Sequence, residues 1–134
     1  MKITGGCHCG NISYEAEIDP EKIIVCHCTD CQTLSGSAFR TVAVTRSGTF
    51  RLLSGELKIY LKTGSSGAKR QQSFCPDCGT SIFAASTDAA PKIHNLRIGS
   101  IHQRDRLVPK RQIWTRSELS WVADLGSLPK VEKG

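Results

Sequence analysis

Seven cysteines in a 134-residue chain restrict the fold more than any other feature, because they fall into three tight groups: Cys7 and Cys9, then Cys26, Cys28 and Cys31, then Cys75 and Cys78. Such short spacings suit metal ligation better than disulfide pairing, and an odd count points the same way. The opening "MKITGGCHCG" lacks the apolar run of a secretion signal, and nothing approaches the roughly 20 apolar residues of a membrane span. The expectation is a reducing compartment, the cytoplasm.

Zinc takes four tetrahedral ligands in structural sites and keeps one position open in catalytic ones. "GGCHCG" and "CPDCG" each place a cysteine pair beside glycine, where backbone amides can turn toward the sulfurs. Together Cys7, Cys9, Cys75 and Cys78 supply one complete four-thiolate structural zinc site; other pairings of the seven, redox pairs included, remain open. Cys26, Cys28 and Cys31 are left as a group of three. In an extended "KIIVCH", Cys26 and Cys28 face one way and His27 the other, and a helical turn returns Cys31 toward them. An open fourth position would make this a catalytic zinc centre. Two alternatives stay open: closure by His94, His102 or Asp30, or three metal-free thiols.

A chain of this length buries one core, so a single domain over residues 1–127 is expected, with a flexible tail over 128–134. Segments with strand character recur: Asn11–Ile18, Lys22–His27, Ala38–Val44, "FRLLSG", Glu56–Lys62, "QQSFC", "TSIFAA" and His94–Gly99. Turn chemistry such as "DPE", "RSGT" and "TDAAP" separates them. The fold class is therefore mainly β and antiparallel. One short helix is expected after Cys28, capped by Thr29 or Asp30 and closing on Gly36, and residues 63–72 read as a mobile loop.

The formal charge of +6 invites a nucleic-acid reading. Seven thiolates around two divalent ions lower it to about +3, an ordinary value. Arg97, Arg104, Arg106, Lys110, Arg111 and Arg116 face only Asp105 across their stretch. Such a cluster suits either a solvated basic face or recognition of a small anion.

The order Cys-x-Cys, Cys-x-Cys-x-x-Cys, Cys-x-x-Cys-Gly, within "GGCHCGNISYEAE", "CHCTDCQTLSGSAF", the long "FRLLSG" to "GTSIF" stretch, "RIGS" and "IWTRSELSWV", resembles the family of glutathione-dependent formaldehyde-activating enzymes and centromere protein V. The resemblance spans almost the whole chain. It implies a single-domain β-tent of antiparallel sheets, stapled by a structural zinc on Cys7, Cys9, Cys75 and Cys78, with a catalytic zinc on Cys26, Cys28 and Cys31. It also implies carbon-sulfur lyase chemistry, in which a small thiol such as glutathione and formaldehyde interconvert with an S-hydroxymethyl adduct. Where many members carry a basic residue after the third central cysteine, this chain has Gln32, which becomes a candidate substrate contact beside Arg97 and Arg111.

Two other functions compete with the lyase: a zinc-binding module contacting nucleic acid or protein, and a thiol-based reductase using a metal-free cysteine of the central three. Sparse aromatics argue against single-strand nucleic-acid binding. Trp114 and Trp121 are expected to pack the core or the open edge of the tent, or to line the pocket. Exposed sheet edges are compatible with a monomer or a homodimer.

Overall fold

The computed structural model describes all 134 residues. Nine strands are present: β1 (Lys2–Gly6), β2 (Ser13–Cys26), β3 (Arg40–Thr45), β4 (Arg51–Ser54), β5 (Lys58–Thr63), β6 (Lys69–Phe74), β7 (Ser81–Ser86), β8 (His94–Arg97) and β9 (Arg111–Ile113). A single α-helix, α1 (Thr29–Ser35), joins β2 to β3, and the remaining helical pieces are short 3-10 turns after β8.

The long strand β2 organises the molecule, because its two halves belong to different sheets. Its first half pairs with β1 on one side and β4 on the other. Its second half pairs antiparallel with β3 and parallel with β9. From β3 the larger sheet continues through β8, β7 and β6 to β5 at the edge. Two sheets thus diverge from one shared strand, in the mainly antiparallel β architecture expected.

The core follows from period-two alternation. Tyr14, Ala16 and Ile18 point inward along the first half of β2, with Ile12 just before it, and Ile23, Ala43, Leu96 and Phe83 form a buried row across the larger sheet. Phe50 bridges the two, its ring 5.4 Å from Tyr14 and 5.0 Å from Phe83.

Three local expectations change, and one strand is added. Asp19-Pro20-Glu21 is not a turn between two strands, since β2 runs through it. The register breaks between Ile18 and Ile23, so Pro20 sits where no ladder donor is required. Residues 69–72 are strand, not loop, because Thr63 pairs with Lys69 and the hairpin needs only Gly64–Ala68 to turn. Helix α1 is capped by Cys28 itself, whose sulfur accepts the Cys31 amide at 3.2 Å, and it ends on Gly36 as expected. Strand β9, three residues long and parallel to β2, carries no signal of its own.

Candidate metal centres and a cationic face

The fold gathers the seven cysteines into two groups. Cys7, Cys9, Cys75 and Cys78 have all four sulfurs within 4.8 Å of one another, as do Cys26, Cys28 and Cys31. Both groups could hold a metal ion, and all seven thiols are free of disulfides.

The group of four joins the turn after β1 to the turn between β6 and β7. Gly10 and Gly79 follow the two pairs at φ of 86° and 76°, a conformation costly for other residues. There the chain reverses tightly, with Gly10 N–H donating to Cys7 and Gly79 N–H to Cys75. Sulfurs around tetrahedral zinc lie about 3.8 Å apart, given Zn–S bonds of about 2.3 Å. Cys9 and Cys75 are separated by 3.8 Å, and Cys7 and Cys9 by 3.5 Å. The Ile12 amide also donates to the Cys7 sulfur at 3.2 Å. The Thr80 hydroxyl, then its amide, draw Cys78 down to about 5. The Asn11 amide lowers Cys9, but Cys7 and the other sulfurs outweigh it and push Cys9 up to about 12. Four sulfurs this close cannot all ionise without a cation between them, so the donor set fits a thiophilic metal.

The group of three sits where β2 ends and α1 begins. Cys26 is buried, and Cys28 and Cys31 are partly exposed. Burial raises the Cys28 thiol, but the Cys31 amide and the neighbouring sulfurs, with Lys62, outweigh it and leave Cys28 below its ordinary value. Burial, then the other two sulfurs, push Cys31 up to about 12.

No further histidine, cysteine or carboxylate joins the three. Asp30 is taken by Lys62 at 2.6 Å. His102 lies against Thr4 at 3.0 Å. His94 is enclosed by Phe50 and Phe83, at ring separations of 4.7 and 4.6 Å. His27 faces away from the sulfurs as alternation requires, fully buried and bonded to Gln112 at 2.7 Å.

The other candidates spread out. Gln32 donates its amide to the backbone carbonyls of His27 and Ser117, both at 2.9 Å, which ties the cysteine turn to the chain after β9. Arg111 is exposed on β9 opposite Ile24. Trp114 and Trp121 are about half exposed, so neither packs the core. Trp114 lines a cleft with Cys28, Asp30 and Lys62, at an unusual φ of 56°.

Arg97 is buried on β8, and sequence reasoning missed its companion, Arg40 on β3, also buried. Both reach the Gln72 side-chain oxygen, Arg97 at 2.6 Å and Arg40 at 3.4 Å. Burial, then Arg40, bring the Arg97 guanidinium down to about 9. Arg40 lies in register with Cys26, which only the strand pairing reveals.

Comparison with known proteins agrees with this architecture. A crystal structure of a Rhodobacter sphaeroides protein, a structural genomics target, superposes with a TM-score of 0.61 over 81% of this chain and 98% of its own, at 19% identity. An uncharacterized lyase of Schizosaccharomyces pombe is 31% identical over 84 residues, covering 63% of this chain and 58% of that protein, less than two thirds of its length. The sequence model for the glutathione-dependent formaldehyde-activating enzyme matches residues 2–117. By that match over nearly its whole length, the chain belongs to the glutathione-dependent formaldehyde-activating enzyme family.

Proposed function

We propose that the protein is a zinc-dependent carbon-sulfur lyase acting on a small thiol adduct, with S-hydroxymethylglutathione as the leading substrate. The observation that carries this reading is the division of the cysteines: four close one site, while three at the β2–α1 junction have no fourth protein donor. On this reading Cys7, Cys9, Cys75 and Cys78 hold a structural ion and Cys26, Cys28 and Cys31 hold the working one. Zinc at the three cysteines would supply positive charge that stabilises a substrate sulfur as thiolate.

The chain's own residues build the frame around that position. The Cys31 amide orients the Cys28 sulfur, Gln32 pins the turn to Ser117, and Gln112 fixes His27 away from the sulfurs. Trp114, Lys62 and Asp30 wall the approach to Cys28. In the adduct-forming direction a C–S bond forms between thiol and formaldehyde carbon, and the thiol proton ends on the former carbonyl oxygen. The reverse direction breaks the C–S bond and returns that proton to sulfur. Seven free thiols suit a reducing compartment, so the cytoplasm is the proposed location. No helix is long and apolar enough to cross a membrane.

Metal analysis combined with an adduct assay tests the reading. Two zinc ions per chain are expected, falling to one in Cys28→Ser, together with accelerated equilibration of glutathione and formaldehyde that the variant loses. One zinc beside three titratable thiols would instead indicate a thiol reductase. A zinc-replete protein that leaves the spontaneous rate unchanged would exclude this substrate pair.

A further inference from the structure

Strand register places an unusual set of side chains on one face of the larger sheet. Cys26 is opposite Arg40 on β3, Val42 is opposite Arg97 on β8, and Gln72 on β6 is opposite Tyr60 on β5. Alternation puts Arg40 and Val42 on the same side, so Cys26, Arg40 and Arg97 share a face. The Arg97–Gln72 hydrogen bond brings Gln72 to that face too. Arg40, Gln72 and Arg97 line a cleft of about 450 Å³ with Lys58, Tyr60 and Leu34, and no carboxylate lines it.

The two arginines lack the partners that buried charges ordinarily have. Each is about 92% buried, at 8% relative exposure, and neither has a carboxylate within 4.0 Å. One neutral oxygen, that of Gln72, serves both, and Arg97 Nε has no partner at all. A guanidinium carries five N–H donors, so most of this capacity is unspent. The cysteines do not account for the whole charge. Before a substrate binds, three thiolates around a divalent ion carry a net charge of roughly −1, less than the two arginines carry.

We propose that Arg40, Gln72 and Arg97 form a carboxylate subsite beside Cys26, Cys28 and Cys31, so that the thiol taken by this protein is an anionic one. The inference rests on the reading of the three cysteines as a thiol site and names the residues that would receive a carboxylate of its substrate. Planar guanidinium forks match a carboxylate's two oxygens, and charge-assisted bonds are roughly twice as strong as neutral ones. Gln72 holds the two forks at one point and leaves their outer N–H groups for the incoming anion.

The test is a protein-observed NMR titration of the metal-loaded protein with 3-mercaptopropionate, its methyl ester and propionate. The acid is expected to bind at least about tenfold more tightly than the ester, the scale of one charge-assisted pair. Gln72→Glu supplies a resident carboxylate to both arginines and should erase that preference without weakening the ester. Gln72→Leu removes the bridging oxygen without adding charge, so it should reduce the preference less than Gln72→Glu does, which separates neutralisation from distortion. Equal binding of acid and ester, or a preference that survives Gln72→Glu, overturns the proposal and leaves the thiol reading standing. Propionate binding as tightly as the mercapto acid, and lost in Gln72→Glu, supports the carboxylate subsite while removing the thiol from the functional reading.

Discussion

His94 shows how one packed side chain sets a pH response. Burial, then the charge of Lys92, lower its imidazole from 6.5 to about 4, and its Nδ1 has no partner between the two phenylalanines. The unfolded chain therefore binds a proton near pH 6.5 that the folded chain refuses until about pH 4. Its contribution is complete above 6.5 and is lost as pH falls through that window. Denaturant melts from pH 7 to 4 should show His94→Phe losing less stability than the parent, and equal slopes would assign the acid sensitivity elsewhere. Trp114 is the opposite case, a bulky residue in the left-handed region whose indole is 55% exposed. That conformation costs about 1–2 kcal/mol in a non-glycine residue, and little burial offsets it. Trp114→Gly is expected to raise the melting temperature by a few degrees while raising KM, since the cleft beside Cys28 loses its wall. A fall in both would show that the ring stabilises the fold. The cysteines were legible in the sequence because their spacing is itself the signal. Arg40 was not, because a lone arginine in a strand acquires meaning only from its register against Cys26.

At the scale of elements, β1 meets β2 so closely that glycine is required between them. A Cβ on Gly5 would run into the buried Tyr14 ring and the Ser100 carbonyl, while Tyr14 is held by a 2.7 Å hydrogen bond to Ser100. Gly5→Ala should therefore destabilise by about 1–3 kcal/mol, the usual range for overpacking, in equilibrium urea unfolding. A change within 0.5 kcal/mol, the range of a neutral surface substitution, would mean that β1 can shift outward. The strands with alternating or β-branched sequences were legible, and so was α1, from the turn residues around it. Pro20 misled because proline ordinarily ends a strand, and the register break at Ile18 and Ile23 exempts it. β9 was hidden because three residues joining a ready-made edge need no pattern of their own. The cap on α1 is Cys28 and not Thr29 or Asp30, because a cysteine sulfur does the work of a hydroxyl.

At the scale of the molecule, the shared strand divides labour between the two sheets. The smaller sheet closes the core, and the larger one carries the cationic face and ends on β5, an unpaired edge where Ile59, Tyr60 and Leu61 are exposed. Beyond the last 3-10 turn at Ser127 the chain has no regular structure and is exposed throughout. Truncation after Ser127 is expected to leave the melting temperature and metal content unchanged, and a drop in either would show that residues 128–134 dock on the body. The sequence spans of the two cysteine groups differ greatly. Cys26 to Cys31 lie within one turn of chain, whereas Cys7 waits for Cys78, most of the domain later. Closing a short loop costs little entropy and closing a long one costs more. During synthesis the local trio is complete as soon as α1 has emerged, while the other site stays a half-built pair until the turn after β6 has left the ribosome. On the proposed assignment, a newborn chain would thus gain its prospective reactive centre before the clasp that closes the fold.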